Sequence, residues 1–241
     1  MASDGSEVKR LMTELRNSPG FKVHSEINNN KRSLRVLSRD RDELIQSIAV
    51  LKKQMVSGSP TVPNDSPSLA LALEELARRL ESFLASASDL IDYTRRYCRK
   101  LYENTDHARE IQSEIDRRFI FEPDYKLAQG LRYMPFHIDT VQASLPPIQT
   151  NEEREASYRI QVKQLLTWDE WNDNQRRMLE AMKEEIDVQE FADRYYTKME
   201  AFYSWLWKRQ GEIHADDLRQ AEEMRLKAKE AYDRLFPAGS G

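Results

Sequence analysis

The chain holds a single cysteine, Cys98, among 241 residues. No internal disulfide can staple it, and a reducing compartment suits it. Seven glycines are too few for a phosphate-cradling loop, and no Gly-x-Ser-x-Gly elbow, zinc-ligand spacing or His-Glu-x-x-His pair occurs. No stretch approaches the ~20 apolar residues of a membrane span, and Met1 to Arg10 lacks the apolar core of a signal peptide. Nor does one sign of charge dominate: the formal net charge is −4, which sets up no global attraction to DNA or anionic lipid. These absences predict an intracellular protein, cytoplasmic or nuclear. They also predict no catalytic residues, no cofactor, no metal and no small-molecule substrate. The sequon Asn64-Asp65-Ser66 carries no weight without an export signal.

What the chain has instead is charge and periodicity. Charged residues make up 32% and the apolar set 39%, a balance that suits long helices with one narrow buried stripe. Aromatics, at 9%, are too many for a disordered chain. From Ser68 to Glu122 there is neither Pro nor Gly. Across that stretch Leu73, Leu76, Leu80, Phe83, Ala87, Leu90, Tyr97, Leu101, Ala108, Ile111 and Ile115 keep a 3-4 spacing, which only Thr94 and Asn104 interrupt. The spacing predicts one long helix, about 75 Å at ~1.5 Å per residue, built to lie against another helix.

Seven further segments follow from composition. Residues 1–24 hold a short amphipathic helix (Val8, Leu11, Met12, Leu15) stopped by Asn17-Ser18-Pro19-Gly20; its mixed polar face predicts a docked or frayed terminus rather than membrane insertion. Residues 25–57 form a coiled-coil helix with rows at Ile27, Leu34, Arg41, Ile48 and Met55 and at Leu37, Leu44 and Leu51. The intruding Arg41 is expected to pack its stem and turn its head to solvent. Residues 58–67 are a Pro- and Ser-rich linker, with Ser66 and Pro67 placed to cap and start the heptad helix of 68–119. Residues 120–150, broken by Pro123, Gly130, Pro135, Pro146 and Pro147 yet rich in apolar side chains, read as an irregular packed segment. Residues 151–187 read as helices with a break near 167, where Thr167 to Glu170 has capping-box spacing. Asp187 then caps a long C-terminal helix over 188–236. Its stripe of Phe191, Phe202, Ile213, Met224 and Leu235 repeats every eleven residues, with Tyr195, Leu206, Ala228 and Tyr232 beside it and a hinge expected near Gly211. Residues 237–241 are a flexible tail. The fold expected is all-α: an elongated helical bundle or set of coiled-coil hairpins with one Pro-rich, aromatic-rich irregular segment.

Several constellations have residue types that can carry chemistry. Glu103, His107, Glu110 and Glu114 share one helical face, but no Glu-x-x-His pair accompanies them; a solvated acidic stripe is expected. Arg95 and Arg99 flank Cys98 in the sense that lowers a thiol pKa. No base is near in sequence, which predicts a structural thiol. Trp168, Trp171, Trp205 and Trp207 are expected where helices cross. The sharpest feature is a cationic cluster, Arg95, Arg96, Arg99 and Lys100, interleaved with Tyr93, Tyr97 and Tyr102. Its like charges at i,i+4 are unfavourable unless something acidic faces them. Glu180, Glu184 and Glu185 are the internal candidates; an acidic partner helix, a phosphoinositide or nucleic-acid phosphates are the external ones. The other candidate partner-binding residues are Tyr133, Met134, Phe136 and Ile138.

The function expected is a non-enzymatic interaction or scaffold subunit of a larger complex, with protein partners and room for self-association through the heptad seams. The sequence leaves open whether those seams pair within the chain or between chains. The first alternative is an elongated, BAR-like helical dimer on anionic membrane, which the net charge disfavours. The second is a nucleic-acid-binding module.

Overall fold

The heptad rows become the inner faces of helices. The computed structural model describes residues 2–57, 67–134, 141–144, 157–182 and 184–236. Among them, nine helices and one small sheet are present, and the fold is all-α. The elements run α1 (Ala2–Asn17), α2 (Pro19–Ser57), α3 (Pro67–Tyr102), α4 (Asp106–Phe119), α5 (Pro123–Tyr133), β1 (Val141–Ser144), β2 (Ser157–Gln161), α6 (Val162–Leu165), α7 (Asp173–Glu180), β3 (Glu185–Asp187), α8 (Val188–Ile213) and α9 (Ala215–Leu235). They divide into two units, one of residues 1–32 and 201–241, the other of residues 33–200.

In the unit of residues 33–200 the seams meet inside the chain. Leu76, Leu80, Phe83, Ala87, Leu90 and Tyr97 of α3 are buried, as are Leu34, Leu37, Leu44, Ile48 and Leu51 of α2. Arg79 of α3 pairs with Glu43 of α2. Lys52 of α2 donates to Gln189 of α8 at 3.3 Å, and Phe83 meets Tyr195 edge-on at 5.9 Å. With Arg41 of α2 also 3.9 Å from Asp193 of α8, α2 runs antiparallel to α8. Arg41 stays in the seam: its guanidinium lies 4.1 Å over the Tyr196 ring, with Asp42 at 2.6 Å. It is stacked on an aromatic face rather than turned out to solvent.

Five expectations about element boundaries need correction. The helix read over 25–57 begins at Pro19, directly after α1, since proline at the first helical position gives up no hydrogen bond. The helix read over 68–119 ends at Tyr102 and restarts at Asp106. Asn104 takes a positive φ of 62°, which asparagine tolerates better than most residues, and Thr105 caps α4 by accepting from the Ala108 amide. The stretch read as irregular over 120–150 contains α5, because Pro123 sits in its first turn, where its missing N–H costs nothing. Within 151–187, β2 and β3 replace helix, and the capping box stands at Asn172 and Gln175 rather than at Thr167. In the sheet β2 is central, pairing antiparallel with β1 (Ala143 opposite Tyr158) and β3 (Ile160 opposite Ile186). The C-terminal helix divides at His214 into α8 and α9. Gly211 lies within α8, and Tyr232 of the expected stripe is 53% exposed.

Other expectations held. Asp187 accepts from the Glu190 amide at 3.0 Å, starting α8 as a cap. Pro67 is the first residue of α3, while Ser66 lies outside the described residues. Residues 1–32 and 201–241 form an antiparallel helical unit. Glu7 faces Arg234 at 3.8 Å, and buried Asn30 accepts from the Trp207 indole N–H at 2.8 Å. There α1 packs on α9.

Candidate interaction surface

The cationic cluster lies on α3 beside α5. That short helix is held from beneath by charge. Asp124, in its first turn, is buried and accepts from Arg194 at 3.0 Å and from Lys198 at 2.9 Å, both on α8; Glu122 also meets Lys198. Burial pushes the Asp124 carboxyl up, but Arg194 and Lys198 together outweigh it and leave the carboxyl below its ordinary value. Leu127 and Leu131 point inward and are fully buried. The outer face of α5 is thereby fixed against α3, and Arg95 reaches across to donate to the Tyr125 hydroxyl at 3.3 Å.

The cluster finds little acid inside the protein. Arg95 faces Asp92 at 3.5 Å, both side chains about half exposed. Arg96, Arg99 and Lys100 are exposed and pair with no acid among the described residues. Glu185, expected as an internal partner, binds Arg159 at 2.6 Å and Gln161 instead. Neither Glu180 nor Glu184 pairs with the cluster among the described residues. Tyr133 is 71% exposed, whereas Met134 is buried. Phe136 and Ile138 lie outside the described residues. The structure therefore brings Arg95 and Tyr133 to one surface and turns Met134 inward.

Sequence reasoning missed four contributors to this surface. Phe121, at the turn before α5, is 86% exposed with Lys126 over its ring, and neighbouring Ile120 is 46% exposed. Arg132 and Trp168 line a cleft of about 330 Å³ together with Arg95 and Tyr133. Trp168 is set edge-on against Trp171, ring centroids 5.0 Å apart, and Trp171 is fastened by its indole N–H to the Leu165 carbonyl at 2.6 Å. The adjacency of Arg132 to Tyr133 was the one available signal; the approach of Trp168 exists only in three dimensions.

The other candidates resolve structurally. Glu114 is engaged by Arg117 and Arg118 and held down to about 2, chiefly by the Arg117 hydrogen bond against a smaller desolvation effect. His107 lies 3.8 Å from Glu110. Among the described residues no cluster of three ligating side chains could hold a metal, and no helix is long and apolar enough to cross a membrane. Burial pushes the Cys98 thiol up to about 12, in spite of a hydrogen bond with Tyr97 that acts the other way. The flanking arginines do not activate it. Iodoacetamide at pH 7.5 should therefore label Cys98 at least tenfold more slowly in the folded chain than in urea, as followed by intact mass. Equal rates would contradict that environment.

Comparison of the chain with protein-family models, with curated proteins and with solved structures finds no match.

Proposed function

We propose that this chain is a non-enzymatic interaction subunit that docks a protein partner on the surface shared by α3 and α5. One observation carries the reading: Arg96, Arg99 and Lys100 stand exposed with no acid paired to them among the described residues, on the helix whose Arg95 shares a cleft with the exposed Tyr133. Arg96 and Lys100 repel one another at i,i+4, and an acidic partner would relieve that repulsion. Aromatic side chains set among arginines are also the composition of binding hot spots. The α2 and α3 seams are already covered within their own unit, which favours a different protein over a second copy joined through those seams. The working location is the cytoplasm or nucleus.

The test is capture of the tagged full chain from its native cells, beside a variant carrying Arg96→Glu, Arg99→Glu and Lys100→Glu. A stoichiometric protein partner that the variant loses while keeping its helical circular dichroism is the expected result. Recovery of the bait alone would overturn the reading. So would salt-sensitive binding of the wild type to anionic phosphatidylserine vesicles or duplex DNA that the variant loses, in the absence of any protein partner.

A further inference from the structure

The cleft between α3 and α5 has an apolar part and a charged part, in which Arg95 and Arg132 stand with Asp92 and Glu170. Leu84 and Ile91 of α3 and Ala128 of α5 supply aliphatic lining, Trp168 is a half-buried aromatic wall, and Arg95 and Arg132 supply the cations. Its volume, about 330 Å³, is at the lower end of pockets that take small molecules or single side chains.

Its two arginines differ. Arg95 is already engaged by Asp92 and Tyr125. Arg132 has a buried Nη1 with no acceptor among the described residues, and its guanidinium is 5.8 Å from the centre of the exposed Tyr133 ring. A buried guanidinium N–H without an acceptor is costly. A carboxylate is the acceptor whose geometry matches it. Glu170 also lines the cleft and is exposed, and no ion pair joins it to Arg132 among the described residues. Arg96, Arg99 and Lys100 lie outside the cleft, exposed on α3 just beyond Arg95, so an occupant that also meets them must be an extended acidic chain rather than an isolated anion.

We propose that this cleft takes an acidic peptide segment of a protein partner, which lays one apolar side chain against Trp168 and sets a carboxylate on Arg132. The assignment rests on the reading of the chain as an interaction subunit and adds the chemistry of what is bound.

The probe is a random twelve-residue peptide display library selected on the immobilised full chain. The strongest peptide is then resynthesised with a fluorophore and titrated by anisotropy. Selected sequences should combine Asp or Glu with Leu, Phe or Trp. Arg132→Gln and Trp168→Ala should each weaken the labelled peptide at least tenfold without changing helical content. Glu170→Gln should tighten binding two- to threefold, because it removes a like charge beside the bound carboxylate, an effect a merely structural residue would not give. Should Trp168→Ala disturb folding, the half-exposed Arg95→Gln, expected to weaken binding about threefold, replaces it. Basic or neutral winners, no enrichment, or acidic winners indifferent to Arg132→Gln would overturn the proposal. A cellular partner that is lost with the α3 charge reversals but kept by Arg132→Gln would refute the cleft and leave the interaction reading standing. Bait recovered alone, beside a successful peptide selection, would do the reverse.

Discussion

Gly130→Ala should lower the stability of the unit of residues 33–200 by about 3 kcal/mol, near the top of the usual overpacking range. Gly130 is buried in the last turn of α5. A Cβ built there would stand 1.7 Å from Cζ3 and 2.2 Å from Cη2 of Trp171. The indole cannot swing away, because its N–H is fastened to the Leu165 carbonyl and the ring is 5% exposed. The helix must retreat instead, and it carries Tyr125, Arg132 and Tyr133 with it. At roughly 2–4 °C per kcal/mol for a domain of this size, the melting transition of that unit should fall by about 6–12 °C. Gly211→Ala is the matched control. Gly211 is helical with nothing within 4 Å of its would-be Cβ, so alanine should stabilise by about 1 kcal/mol through helix propensity and a less flexible unfolded chain. Calorimetry that found the two substitutions equal in sign would contradict the packing described around Trp171.

Asp124→Ala should cost about 2 kcal/mol. Breaking a fully buried ion pair costs roughly 3–5 kcal/mol, but Arg194 and Lys198 are 49% and 37% exposed, so water takes up part of their freed charge. The pH dependence has a definite sign. The folded-state pKa of Asp124 lies below its ordinary value, so its contribution is present above the unfolded pKa of about 3.9. It is lost as pH falls through the folded value. Denaturation midpoints of wild type and Asp124→Asn should therefore differ at pH 7 and converge toward pH 2. A gap that persists at pH 2 would mean that Asp124 acts through packing rather than charge.

These two positions show where the sequence was legible and where it was not. The α2 and α3 seams were plain, because a 3-4 spacing of Leu, Ile and Phe over many turns has no other stable use. Asn104 announced itself as a polar residue in an apolar row, and the structure uses it to break the helix. By contrast, Pro123 and Gly130 look like helix breakers in sequence. Pro123 instead opens α5 in its first turn, and Gly130 is the gap into which Trp171 packs. The three-residue β3, Glu185-Ile186-Asp187, is too short and too acidic to betray a strand, and only its pairing with β2 makes it one. The surface divides in the same way. The α3 cations and Tyr133 could be read from local pattern, whereas Trp168 joins them across the fold, and Met134, their neighbour in sequence, faces the core.

The central claim is that this chain works by protein contact on the α3–α5 surface, and lysine-directed crosslinking of the complex captured from native cells tests it most directly. Lys100 on α3 and Lys126 on α5 flank that surface, while Lys227 and Lys229 lie on α9 in the other unit. The account predicts that inter-protein crosslinks from this chain concentrate at Lys100 and Lys126, and that Arg96→Glu, Arg99→Glu and Lys100→Glu abolish the crosslinks at Lys126. Crosslinks confined to Lys227 and Lys229, or a complex unaffected by the charge reversals, would contradict it.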